Sequence, residues 1–529
     1  MPGLRVSARF RSEPIAMIVH PPSVADALPG DPVVRPGVRA VEGAWASAPT
    51  TPVAEPRTLA VSASLARELG LDPEAIAAAP DGFAGNRLAP GMRPVATNYG
   101  GHQFGHWAGQ LGDGRAILLG EVEAPDGRRH ELQLKGAGPT PFSRHADGRA
   151  VLRSSLREFV VSEAMHALGV PTTRALTLVA TGETVVRDLL YSGDPRPEPG
   201  AVVCRVAPSF MRFGHFELPA ARGDQDLLRR FVDHAVHAHF PQFAGPDAAA
   251  DLFAEVARRT GVMAAHWMRV GFVHGVMNTD NMSLLGLTID YGPFGWIEAF
   301  DPHWTPNTTD AQHRRYRFGA QPQVAHWNLS ALASALAPLI GEDTSPLQAG
   351  MAAYVEAFQQ AQARMGADKL GLEAWHEGDL GLLQDLYRWM QAASIDMTLF
   401  FRRLAVLDPA QASPADVEGL GYDPVRFTRE APAFAAWLER YADRLAFDPQ
   451  PPAARRARMD DANPLYVPRN WLLQQAIDAA EQGDLAELQA LMAVLERPYE
   501  EQPGASRFAA LRPAWALDRP GCSALSCSS

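Results

Sequence analysis

Two segments of this chain hold residue types that, at their spacing, can do phosphate chemistry. The first runs from Gly109-Gln-Leu-Gly-Asp-Gly-Arg115 through Lys135 to Glu158; the second is His274-Gly-Val-Met-Asn-Thr-Asp-Asn281, followed by Ile289-Asp290-Tyr291-Gly292. A loop that carries Gly112 and Gly114 directly before a strand lets backbone N–H groups approach phosphate oxygens, since no side chain intervenes. The same pattern also describes a glycine-rich turn that binds nothing. Lys135 and Lys369 are the only lysines among 48 basic residues. A chain that otherwise uses arginine keeps a lysine chiefly where a compact ammonium cannot be replaced by a planar guanidinium. Lys369, in the polar stretch 366–368, reads as incidental. Asn281 and Asp290 are oxygen donors of the kind Mg²⁺ takes, with phosphates and water completing the shell.

The order of these parts is that of a protein kinase: glycine loop, strand, turn, strand ending in a lysine, helix with a glutamate, and later a catalytic loop and a metal-binding Asp. A kinase catalytic loop places its base two residues after the His and its metal-binding Asn seven after. Asn281 stands at the seventh place, but the second place is Val276. The ordinary base is missing. Asp280 is the adjacent carboxylate that could take a proton from a different position, and so serve a differently placed phosphorus. The bland alternative is a polar loop with a capping aspartate.

Arg205 and Arg212, seven residues apart across a turn, suit either a bidentate phosphate clamp or structural salt bridges. Between Arg128 and Arg157 there are seven basic residues and two acidic ones, a local field suited to a polyphosphate. Glu158 can pair with Lys135, yet Ser155-x-x-Glu158 is also a capping box. His102, His106 and His130 lack metal-ligand spacing and read as structural. Cys522 and Cys527 are five residues apart on a tail expected to be mobile, where they could form a disulfide, react as exposed thiols or lie idle.

The elements that must position these groups follow from pattern. Residues 116–123 and 129–135, around Pro125-Asp126-Gly127, predict a hairpin. A helix is expected from about Ser155 to Leu168, strands at 174–180 and 201–207 around a polar insert at 193–200, and mainly helices from about 225 to 446. A linker is expected at 447–458 and a helical pair at about 469–497. The length of 529 residues calls for two lobes with appended structure. We divide the chain into an extended N-terminal arm (1–56), an N-lobe (57–200), a mainly helical C-lobe (201–446) and a linker, helical extension and Cys-containing tail (447–529). The fold class is α+β, a kinase-like bilobal arrangement with a mixed β/α N-lobe. A net charge of −12 argues against coating nucleic acid, and no apolar run is long enough to span a bilayer. Three cysteines suggest a reducing compartment, with the cytoplasm as the default. Arg5, Arg9 and Arg11 against Glu13 faintly suit an organellar transit segment; a start at Met17 would remove them.

Taken together, the segments 98–115, 133–144, 154–159 and 274–295, with Asn463-Pro464 and Arg469-Asn470, resemble the selenoprotein O family over about residues 57–500 and at the tail, where some members carry selenocysteine third from the end and this chain has Cys527. That resemblance implies a kinase-like fold that binds ATP in a flipped orientation and transfers AMP to Ser, Thr or Tyr hydroxyls of proteins. It implies nucleotide contacts from Gly112, Gly114, Arg115, Lys135, Asp147, Gly148, Arg205, Arg212 and Asp290, metal ligation by Asn281 and Asp290, and Asp280 as base. The cofactor implied is Mg²⁺ or Mn²⁺, and UMP transfer from UTP is a second implied activity. A γ-phosphoryl kinase, a non-catalytic nucleotide-binding scaffold and a thiol redox protein remain the alternatives.

Overall fold

The computed structural model describes residues 17–190 and 193–526. The basic run at Arg5, Arg9 and Arg11 and the tail thiol Cys527 lie outside the described residues. The chain is a mixed α+β structure with a large antiparallel sheet and many helices.

The expected hairpin is present as strands Ala116–Glu123 and Arg129–Lys135, paired from Ala116↔Lys135 to Glu123↔Arg129. Its turn closes because Gly127 adopts φ +81 and the Asp126 carboxylate accepts the Arg128 N–H at 3.0 Å. The hairpin lies within a nine-stranded sheet whose main path runs 45–47, 95–97, 116–123, 129–135, 196–207, 174–187, 57–61. The segment before residue 57, read as an extended arm, supplies two of these strands, Val19–His20 and Trp45–Ser47. The strands Arg174–Arg187 and Arg196–Ala207 run through much of the expected polar insert, down to the pair Arg187↔Arg196. Pro197 and Pro199 are tolerated there because this end pairs only with its own partner strand, so no third strand needs their missing N–H groups.

The glutamate-bearing helix runs Leu152–Ala167, three residues earlier than its pattern suggests. Ser155 is therefore inside the helix, its hydroxyl directed at the Ala201 carbonyl, and the capping-box reading fails. The helix is buried from Leu152 to Met165, charges included. Each of those charges has a partner, as burial demands: Arg153 with Glu198 at 2.5 Å, Glu163 with Arg174 at 2.7 Å, Arg157 with the neutral Phe294 carbonyl at 3.1 Å, and Glu158 as described below. Helices dominate the rest, among them Ala248–Val270, Gln321–Ile340 and Ser345–Leu370.

The expected linker at 447–458 contains much of a helix, Pro452–Ala462, because its proline occupies the first helical position, where no N–H is needed. The helical pair is Asn470–Glu481 and Ala486–Leu495. The tail is packed, not loose, through residue 526. The Asn470 amide donates to the Cys522 carbonyl at 3.1 Å, and the Thr308 N–H donates to the Leu525 carbonyl at 2.8 Å. Among the described residues no helix is long and apolar enough to cross a membrane.

Candidate active site

Strand register aims the first group of side chains. Gln133 and Lys135, two residues apart, share one face of their strand, and Arg205 lies directly opposite Gln133 on the next. The buried helix Leu152–Ala167 brings Glu158 to that face, with the Glu158 carboxylate 2.5 Å from Lys135 Nζ and 3.0 Å from Arg205 Nη1. Gln133 accepts from Arg205 Nη2.

The second group sits on a loop clamped at both ends by the short ladder Phe272↔Trp296 and Val273↔Gly295. His274 Nε2 donates to the Ile289 carbonyl at 2.9 Å while Nδ1 accepts the Val276 N–H at 3.3 Å, an arrangement that suits the neutral ring. Burial lowers the His274 pKa in the same sense. This histidine holds the loop's two halves together. Asp290 takes the left-handed conformation, φ +57, and turns its carboxylate toward the sheet.

There the two groups meet. Asp290 accepts from Arg205 Nη1 at 2.5 Å and from Arg212 Nη1, and lies 3.9 Å from Lys135 Nζ. Burial alone would raise the pKa of Asp290, but Arg212, Arg205 and Lys135 hold it well below the usual carboxylate range. Burial pulls the Lys135 pKa down, with Glu158 opposing. The charges of Lys135, Glu158, Arg205, Arg212 and Asp290 thus form one continuous network, and Arg205 and Arg212 serve as braces for the two carboxylates.

Among the described residues Arg115 has no ion-pair partner, and burial lowers its pKa. With it the cluster holds four cations, Arg115, Lys135, Arg205 and Arg212, against the carboxylates of Asp113, Glu158 and Asp290, with Asp280 a fourth when ionised. The Nε atoms of Arg205 and Arg212 are buried with no hydrogen-bond partner among the described residues.

Asp280 is buried beside this network. Its carbonyl accepts from Arg212 Nη1 at 2.8 Å, and its carboxylate Oδ2 accepts from Gln103 Nε2 at 3.3 Å, while Oδ1 has no partner. Burial raises its pKa to about 7. The Asn281 amide donates from Nδ2 to the Val276 carbonyl at 2.9 Å, which leaves Oδ1 free to act as a ligand.

Several side chains essential to this arrangement escaped the sequence reading. Asp113, between the two loop glycines, is buried and accepts from the Thr97 N–H at 3.1 Å and the Thr97 hydroxyl at 2.5 Å, with Arg212 Nη2 3.6 Å away. It pins the glycine loop to the arginine brace. An acidic residue flanked by glycines was the available signal. Gln133 could have been found as the residue two before Lys135; Gln103 and Tyr99, whose ring lies 4.9 Å from the Arg212 guanidinium, had none. Gly112, at φ +71, is required for packing, since a Cβ there would lie 2.3 Å from the Phe142 ring.

Asp147 is paired with Arg187 at 2.5 Å at a half-exposed position, and the neighbouring Gly148 packs against the Gly138 backbone. Lys369 is not incidental: its buried ammonium donates to Asn463 Oδ1 at 2.9 Å and lies 3.8 Å from the centre of the Phe401 ring. Cys522 is buried and its thiol is pushed up to about 11, the reverse of a reactive cysteine. Among the described residues no three His, Cys, Asp or Glu side chains cluster as a metal site of their own. A cavity of about 1000 Å³ lies elsewhere, beside Arg258 and Arg364.

The profile of the family described as Protein adenylyltransferase SelO matches residues 42–496. A protein nucleotidyltransferase YdiU of Xanthomonas campestris pv. campestris (strain 8004) is 60% identical over 506 residues, covering 95% of this chain and 98% of the relative. The corresponding protein of Xanthomonas oryzae pv. oryzae (strain MAFF 311018) is 59% identical over 495 residues, 93% of this chain and 95% of its own. With a matching profile over most of its length and relatives of this identity, the chain belongs to the SelO family of protein adenylyltransferases.

Proposed function

We propose that this nucleotidyltransferase moves AMP from ATP to a Ser, Thr or Tyr hydroxyl of a protein, with Asp280 as the base. The observation that carries this reading is the position of Asp280. It replaces the absent carboxylate at Val276, touches the Asp290 network through Arg212, and is held near neutrality by burial. A base of that pKa can accept a hydroxyl proton at physiological pH.

In the step, the acceptor O–H gives its proton to Asp280, the oxygen bonds to the α-phosphorus, the bond to the bridging oxygen breaks, and pyrophosphate leaves. Lys135, Arg115, Arg205 and Arg212 supply fixed positive charge for the triphosphate and for the leaving pyrophosphate, which supports a terminal phosphate pointing inward. Preorganised cations need no rearrangement as that charge develops.

Asn281 Oδ1 and the Asp290 carboxylate would hold the divalent cation, Mg²⁺ or Mn²⁺. Two protein oxygens with the rest of the shell from phosphates and water fit such an ion. When bound, it would neutralise phosphate charge. The sheet-borne group, Lys135 and Arg205, meets the loop-borne Asp290 in direct contact, with Asp280 joined through Arg212, and this supports a kinase-like arrangement.

Intact-mass analysis of an acceptor protein after incubation with ATP and Mg²⁺ tests the assignment. An adenylyl adduct is expected; a phosphate adduct alone would overturn it in favour of γ-phosphoryl transfer. Bound ATP with no adduct on the chain or on any acceptor would point to a non-catalytic scaffold.

A further inference from the structure

A cleft of about 570 Å³ has Phe104, His106, His313, Arg315, Arg317 and Trp327 on its walls. None of Lys135, Arg205, Arg212 or Asp290 lines it, so it is separate from the phosphate-holding cluster. It is nevertheless tied to the base. The small hairpin His102–Gln103 and His106–Trp107 turns at Phe104 and Gly105, which have φ +52 and +86. Gln103 donates to Asp280, and the next residue, Phe104, donates its N–H to the Tyr316 hydroxyl at 2.9 Å. Tyr316, between Arg315 and Arg317, in turn donates to Asn278 Oδ1 at 2.6 Å, two residues before Asp280.

The walls are basic and aromatic in a chain whose net charge is −12. Arg315 and Arg317 have no carboxylate partner among the described residues. The one acidic side chain on the cleft, Asp310, already accepts the backbone N–H groups of Arg315 at 2.9 Å and Tyr316 at 2.7 Å. Arg315 stacks 4.7 Å from the Trp327 ring, and its Nε is buried with no partner. A guanidinium held flat, attracted by Asp310 but in no ion pair with it, is preorganised for a carboxylate. Phe104 and Trp327 offer apolar faces beside it.

We propose that this cleft docks the acceptor: an extended segment of the protein substrate in which acidic side chains flank the hydroxyl delivered to Asp280. The carboxylates would meet Arg315 and Arg317 while the hydroxyl reaches the base over the Gln103 hairpin. This rests on the transfer reading above, and the test therefore includes binding as well as turnover.

The full chain is titrated with three fluorescein-labelled peptides of equal length carrying a central Ser, flanked by Glu, by Gln or by Lys. The Glu peptide is expected to bind about tenfold tighter than the Gln peptide, and the preference to disappear in R315Q/R317Q and return in R315K/R317K. ATP binding and melting temperature serve as the fold control, and R317Q alone stands in if the double variant does not fold. In turnover, R315Q/R317Q should raise KM for the Glu peptide about tenfold with little change in kcat. Equal binding of all three peptides, a preference that survives the variants, or a single-stranded oligonucleotide that displaces the Glu peptide with the same arginine dependence would each overturn the proposal. Arginine-dependent binding without adenylylation would instead keep the docking site and refute the transfer reading.

Discussion

Arg212 reaches the Asp280 carbonyl at 2.8 Å through the same Nη1 that contacts the Asp290 carboxylate. A single buried guanidinium therefore sets the spacing between the proposed base and the proposed metal ligand.

Burial raises the Asp280 pKa to about 7, and a base works only when ionised. The value of kcat/KM should therefore fall about tenfold per unit as pH drops below about 7. Because the raised pKa favours the protonated carboxyl in the folded chain, its contribution to stability is present at low pH and lost as pH rises through about 7. Asp280→Asn should consequently gain more stability relative to the parent at pH 8.5 than at pH 6, while losing transfer. The Gln103 hydrogen bond lowers this pKa, so Gln103→Ala should move the acidic limb to higher pH. A limb near pH 4 in the parent would remove Asp280 from the role of base.

Lys135 and Glu158 are a close, buried pair, and removing one partner leaves the other's charge uncompensated. Lys135→Met and Glu158→Gln should each lower unfolding stability by about 3 kcal/mol, with the double variant less affected than the sum. Urea unfolding of the four chains reads this coupling. Additive losses would mean that the pair contributes nothing beyond its separate contacts.

Asp113 gathers four groups: the Thr97 N–H and hydroxyl, the Tyr99 hydroxyl at 3.4 Å, and Arg212. Asp113→Ala should cost about 2 kcal/mol, since it orphans buried donors. It should also raise KM for ATP several-fold more than it lowers kcat. Equal effects on both parameters would place Asp113 in the chemical step and not in holding the loop.

Cys522, buried and with its thiol pushed up to about 11, should resist a thiol reagent in the folded chain and label quickly in denaturant. Cys522→Ser should retain transfer under both reducing and oxidising conditions. Rapid labelling of native Cys522 would restore the redox reading of this position.

Much of the fold was legible where pattern is local. The 116–135 hairpin is announced by Pro125-Asp126-Gly127, and the helical pair near 469–497 by its apolar spacing. Boundaries failed where context overrode pattern: the Leu152–Ala167 helix starts early because it is buried on every side, so no polar face marks its beginning. The tail failed for a related reason. Its short polar residues look mobile, yet Asn470 and Thr308, 52 and 217 residues before the carbonyls of Cys522 and Leu525 that they capture, hold its backbone.

Taken alone, the order of residues determined which parts this protein owns: a rare lysine at a strand end, a glutamate on the following helix, and the Asp280-Asn281 and Asp290 set on one later loop. Those are short-range facts, written in spacing of a few residues. Only the tertiary structure decided that Arg205 and Arg212 brace carboxylates, that Asp113 ties the glycine loop to them, and that Arg315 stacks on Trp327 with no ion pair among the described residues. Ion pairing across 85 residues, as between Arg205 and Asp290, depends on strand register and on how the loop is carried, and neither is encoded near the residues that meet.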